Sequence, residues 1–138
     1  MTTLATSSGT ITLPDDMLWP DEFKWSPVAQ QWDISLGGSQ IVEISTQAFG
    51  RPITLSGYPD GPWIDAPTMD ALRAAELAQG DTPMTLTLSD GRTFAVLFFG
   101  GGAAPAVDGE QVLLRSAIDL TERSSFKFVP IIRLKQVA

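Results

Sequence analysis

The sequence predicts a mainly β fold with a single short helix, and three observations carry that prediction. Apolar and polar residues alternate with a period of two along short runs, most clearly Gln31–Leu36 and Met84–Ser89. Glycine-bearing turn pairs, Gly37-Gly38 and Asp90-Gly91, stand where such runs reverse. Only one stretch, within 67–79, combines helical spacing with a start and a stop signal. About seven strands and one helix follow, within a single β-rich domain spanning 1–138.

Residues 1–10 are mostly small and uncharged, and are expected to form a flexible N-terminal arm. Ile11 and Leu13 mark a short strand that Pro14-Asp15-Asp16 turns. Leu18–Pro27 then places Trp19, Phe23 and Trp25 among prolines that forbid a regular helix or a central strand. Such a segment needs tertiary contact, either across its own domain or in a neighbour. In Gln31–Leu36 the side chains of Trp32, Ile34 and Leu36 share one face, expected to point into the core. Gly37-Gly38 reads as a two-residue hairpin loop, and Gln40–Thr46 returns with Ile41 or Val42, and Ile44, inward.

Arg51–Ser56 is the next strand, with Ile53 and Leu55 inward, followed by a turn-rich stretch ending on Trp63. The helix is expected from about Pro67 to Gln79, with Asp65 or Thr68 as its cap and Gly80 as its stop. Met84, Leu86 and Leu88 alternate with polar residues, Asp90-Gly91 fits a type I′ turn, and Arg92–Phe99 returns. Its Thr93–Phe99 part is apolar on both faces, which makes it central or covered twice. Gly100–Asp108 has few side chains able to pack and reads as a loop ordered only by a partner, if at all. Phe126–Lys135 sorts Phe126, Phe128, Ile132 and Leu134 from Lys127, Arg133 and Lys135 by parity, with Pro130 favouring an edge or a bulge.

Composition narrows the chemistry. The chain is 43% hydrophobic and 18% charged, a globular balance. It contains no Cys, which excludes disulfides, thiolate metal sites and thiol nucleophiles. It contains no His, the commonest general base and metal ligand. No cofactor or metal is expected. A net charge of −7 argues against nucleic acid as a partner. No basic-then-apolar leader is seen and no apolar run nears the roughly 20 residues of a membrane helix, so a soluble, intracellularly made protein is expected. Charge is divided unevenly: residues 1–110 carry fourteen acids against four bases, and 111–138 carry two acids against five bases. Either the basic end offsets the acidic body within one fold, or opposite faces carry opposite sign and suit packing between copies.

No catalytic constellation emerges. Asp15-Asp16 and Asp21-Glu22 are neighbours in turns rather than acids facing across a cleft. Asp60-Gly61 and Asp90-Gly91 lack the spacing of a calcium loop, and Gly100-Gly101-Gly102 lacks the lysine and helix of a phosphate loop. Serines beside glycines have no general base to activate them.

The order Ile11-Thr12-Leu13-Pro14-Asp15-Asp16-Met17-Leu18-Trp19, Trp25-Ser26-Pro27-Val28, Gly50-Arg51-Pro52-Ile53-Thr54-Leu55-Ser56-Gly57, Trp63, a short helix, Asp90-Gly91-Arg92-Thr93-Phe94 and Ile132-Arg133-Leu134 resembles small tail proteins of tailed bacteriophages, the distal-tail and ripcord-like adaptor rings. The resemblance implies a β-barrel or β-sandwich with one helix. It also implies a non-enzymatic virion structural protein, made in the host cytoplasm, that forms a ring at the tail-tube end or baseplate. Its partners would be copies of itself and tube and hub proteins, with no membrane or nucleic-acid partner. Candidate assembly residues are Trp19, Phe23, Trp25, Arg51, Trp63, Arg115, Arg123, Lys127, Arg133 and Lys135. The alternative is a carbohydrate- or receptor-binding β-sandwich that uses Trp19, Trp25 and Trp63 as a platform.

Overall fold

The protein is described by a computed structural model covering residues 1–59, 61–100, 104–112 and 126–137. Among these residues lie strands β1 (Thr2–Thr6), β2 (Gly9–Leu13), β3 (Val28–Ile34), β4 (Gln40–Thr46), β5 (Pro52–Ser56) and β6 (Ile64–Asp65), helix α1 (Ala66–Ala78), and strands β7 (Met84–Thr87), β8 (Thr93–Phe98), β9 (Val107–Gln111) and β10 (Lys127–Gln136). The fold is mainly β, with one short helix among the described residues, as expected. Among those residues the strands number ten rather than about seven, because short pairing segments that lack an alternating pattern of their own join the sheet.

Eight strands form one curled sheet in the order β2-β1-β7-β8-β10-β5, antiparallel throughout, shaped like half a barrel. β10 is its spine. On one side β8 pairs with its C-terminal end and β9 with Phe128–Ile132; on the other β5 pairs with Ile131–Lys135 and β6 with Lys127–Phe128. Each flank is thus a strand interrupted by an excursion. Pro130 sits opposite one interruption, where its carbonyl accepts the Gly57 N–H at 2.8 Å just after β5 leaves the ladder. This corrects the expectation of an edge or bulge at Pro130. A proline fits the centre of this sheet because its missing N–H falls where the neighbouring chain has already turned away.

The expected flexible arm at residues 1–10 is also corrected. β1 lies between β2 and β7, and Leu4 is wholly buried. A single large apolar residue, Leu4, within Thr2–Thr6 gives no strand signal, yet flanking strands satisfy its backbone and the core takes its side chain. Ala106 and Val107, expected in a loop, are likewise in the core, and β9 begins at Val107. Residues 101–103 of that loop lie outside the described residues.

Both recognised hairpins reverse by a longer route than expected. Ser35 N–H bonds Ser39 O at 2.8 Å and Gly38 N–H bonds Ser35 O at 2.9 Å; Leu88, Arg92 and Gly91 repeat the pattern at 2.9 and 3.0 Å. Within these two loops only Gly38 and Gly91 take positive φ, at 84° and 94°, whereas a type I′ turn needs positive φ at two positions. Asp90, with a Cβ, stays out of that region, and the glycine forms the bulge that closes the loop.

Helix α1 starts at Asp65, whose carboxylate accepts the Thr68 N–H at 3.0 Å and the Thr68 hydroxyl at 2.6 Å, and Gly80 at φ 51° stops it. Leu72 and Ala75 bury against the sheet beside Leu4, Leu13, Ile53, Leu86, Val96, Ile132 and Leu134. Arg73 and Gln79 fasten the helix further, donating to Val107 O and accepting from Phe98 N–H, both at 2.9 Å.

Candidate assembly surface

β3 and β4 form a separate two-stranded sheet with no third strand among the described residues. Their register pairs Val28 with Thr46, Gln30 with Ile44, Trp32 with Val42 and Ile34 with Gln40. Directly paired residues share a face, so Val28, Trp32, Ile34, Val42 and Ile44 form one largely apolar, uncharged side together with Gln30, Gln40 and Thr46. Asp33 and Glu43 stand on the other. The apolar side is open: Trp32 is 58% exposed, Ile34 76% and Ile44 66%, and Leu36 projects wholly from the tip. The expectation that Trp32, Ile34 and Leu36 face the core is therefore corrected. The alternation is real, but it marks a surface with no cover inside this subunit.

The aromatic segment before the hairpin behaves differently. Leu18 exchanges backbone bonds with Ser56 at 2.8 and 2.9 Å, and the Asp21 carboxylate accepts the Thr54 N–H at 3.1 Å and hydroxyl at 2.9 Å. These bonds seal the outer edge of β5. Trp19 meets Phe94 edge-on at 5.8 Å between centroids and lies beneath two guanidinium groups, Arg51 at 4.7 Å and Arg92 at 5.4 Å. Arg51 donates to the Glu22 carbonyl at 2.7 Å, and Arg92 to the carboxylates of Glu22 at 2.9 Å and Asp90 at 2.7 Å. The bonds from Glu22 and then Asp90 hold Arg92 more firmly protonated than usual. The Asp90 carboxyl is lowered by the Arg92 backbone N–H first and its side chain next. Trp19 and Arg51 are thus joined in an intramolecular clamp. Asp21 and Glu22, which complete it, gave no signal in the sequence beyond being acidic.

The other candidates are scattered. Phe23 is 90% exposed at the turn of the clamp, and Trp25 is half-buried. Trp63, less than half exposed, donates its indole N–H to Pro59 O at 3.0 Å. Lys127 pairs in register with Asp65, Arg133 donates to Pro105 O at 2.6 Å, and Lys135 lies 5.0 Å over the Phe99 ring. These three bases alternate along the spine strand on the side opposite the buried Ile132 and Leu134. Arg115 and Arg123 lie outside the described residues. Among the described residues no group of three or more acids could hold a metal ion, and no helix is long and apolar enough to cross a membrane.

Compared with protein-family models, curated proteins and solved structures, the chain matches none.

Proposed function

We propose that this protein is a non-enzymatic structural subunit that assembles with copies of itself through the β3–β4 hairpin. In the setting implied by the sequence resemblance, the assembly is the tube-end or baseplate ring of a phage tail. The supporting observation is the amphipathic hairpin with an uncovered apolar side. A two-stranded hairpin is marginal on its own in water, and one displaying a tryptophan, two isoleucines and two valines gains stability from any surface that covers them. Full burial is worth roughly 1.5–3 kcal/mol for each such side chain. Five partly exposed ones yield an amount of the same order as the roughly 4–15 kcal/mol that association costs. A single contact of this kind is weak, and closure into a ring or docking on a template multiplies it.

The sugar-platform alternative loses one member, since Trp19 is covered by Arg51 and Arg92. The test is immunogold labelling of phage particles from a host producing the protein, together with sedimentation of purified protein. Labelling at the tail tip and concentration-dependent association are expected. Absence from particles refutes the virion role, and a monomer at every concentration that is also absent from particles refutes the assembly role.

A further inference from the structure

We infer that the outer edge of β2, with the groove between β2 and α1, receives the β3–β4 hairpin of a second copy of this chain. This rests on the reading above, that copies join through the hairpin, and adds the acceptor. The large sheet has two ends. The chain's own Leu18 and Asp21 seal the β5 end, while β2 pairs with β1 alone among the described residues. An open strand edge normally carries a charge, a proline or a covering element that prevents pairing. Gly9-Thr10-Ile11-Thr12-Leu13 has neither charge nor proline.

Beside that edge two adjoining depressions share Thr10, Ile11 and Ala71, and extend to Ala74 at one end and Pro67 and Thr68 at the other. The core layer between sheet and helix therefore opens sideways past β2, with Ile11 as its last sheet residue and exposed alanines above it. A strand added there needs apolar residues on the helix side and polar ones on the other, continuing the pattern of Ile11 and Leu13 against Thr10 and Thr12. The hairpin has that pattern in the main, with Gln30 and Gln40 as the polar exceptions on one side and Ile41 as the apolar exception on the other. Val28, Trp32, Ile34, Val42 and Ile44 would continue the apolar layer under Ala71 and Ala74, and Asp33 and Glu43 would stay on the solvent side with the threonines. Its seven-residue strands, about 23 Å long, cover all of five-residue β2 at about 17 Å. Among the described residues lining the two depressions Asp65 is the one charged group, and its carboxylate is already engaged by the Thr68 N–H and hydroxyl. Donor and acceptor are different surfaces of one chain. The contact is therefore head-to-tail, the kind that builds rings where its rotation closes and filaments where it does not.

The test uses the absence of cysteine. Two differently tagged single-cysteine proteins, Leu36→Cys or Gln30→Cys in the hairpin and Thr10→Cys or Ala74→Cys at the groove, are mixed and treated with a short bismaleimide. A hairpin-to-groove product is expected, and failure of every such pair to couple at any concentration overturns the inference. Ala71→Arg with Ala74→Arg, both on the exposed helix surface, should leave circular dichroism unchanged and weaken self-association about tenfold or more. Association of unchanged strength in this double variant, or hairpin-to-hairpin coupling alone, overturns the groove as acceptor and leaves the hairpin-mediated assembly standing. Loss of association on Trp32→Ser in the otherwise unchanged chain reports on that assembly role by itself.

Discussion

Gly57 and Gly109 both lack room for a side chain, but what they meet differs. A Cβ on Gly57 would stand 2.6 Å from the Pro62 carbonyl and 2.8 Å from Pro130 Cδ, both rigid, whereas one on Gly109 would meet the free end of Met69 at 2.7 Å. Gly57→Ala is therefore expected to destabilise by about 2 kcal/mol or more and Gly109→Ala by less than about 1 kcal/mol, read from urea unfolding. Asp65 gives a pH-dependent case. The Thr68 hydroxyl foremost, then the Thr68 N–H and the charge of Lys127, hold its carboxyl below the usual range, against an opposing effect of burial. Because the folded value lies below the unfolded 3.8, the stabilisation is fully present above that pH and is lost as pH falls through the folded value. Asp65→Ala should cost about 1 kcal/mol at neutral pH. The gap to the parent protein should narrow in acid, and a constant gap from pH 7 to 2 would show that charge plays no part in the cap.

The β3–β4 hairpin is an element with no share in the core of its own subunit. No buried core residue falls between Leu13 and Ile53, and the hairpin's base is closed by Gln47 N–H on Pro27 O at 2.6 Å. Replacing Val28–Thr46 with a short glycine-serine linker should thus leave the thermal midpoint of the remaining body within a few degrees of the parent, while abolishing self-association. A collapse of the midpoint would mean that the hairpin supports the body. The clamp before it is the converse case, since Trp19, Asp21 and Arg51 tie an irregular segment to β5 and close an edge that would otherwise be open.

For the whole molecule, the uneven charge along the chain and the apolar hairpin make opposite demands of an interface. Attraction between the acidic body of one copy and the basic end of another would weaken as salt screens it. The hairpin's apolar side carries no charge, so association through it should be unchanged or strengthened between 50 and 500 mM salt, values chosen to span about a threefold change in screening length. Sedimentation across that range decides between them, and dissociation at high salt would favour charge-led packing.

Much of the body was legible in the sequence. Ile53 and Leu55, Met84 and Leu86, and the Ile132-Leu134 parity marked core faces, and Asp65 and Gly80 bounded the helix, because these signals depend on neighbours within one element. Less legible were features whose partners lie far away in the chain. β1 has one core side chain and becomes a strand through β2 and β7; Pro130 is central because the β5–β6 flank breaks beside it while β9 pairs through it; Arg51 is held by a carbonyl and an indole from another segment. The same limit governs the hairpin. Alternation in Gln31–Leu36 determines that one face is apolar, and it did so correctly. Whether that face meets the subunit's own core or another surface is decided only by where the remaining strands lie, since covering an apolar face stabilises it equally whichever chain supplies the cover.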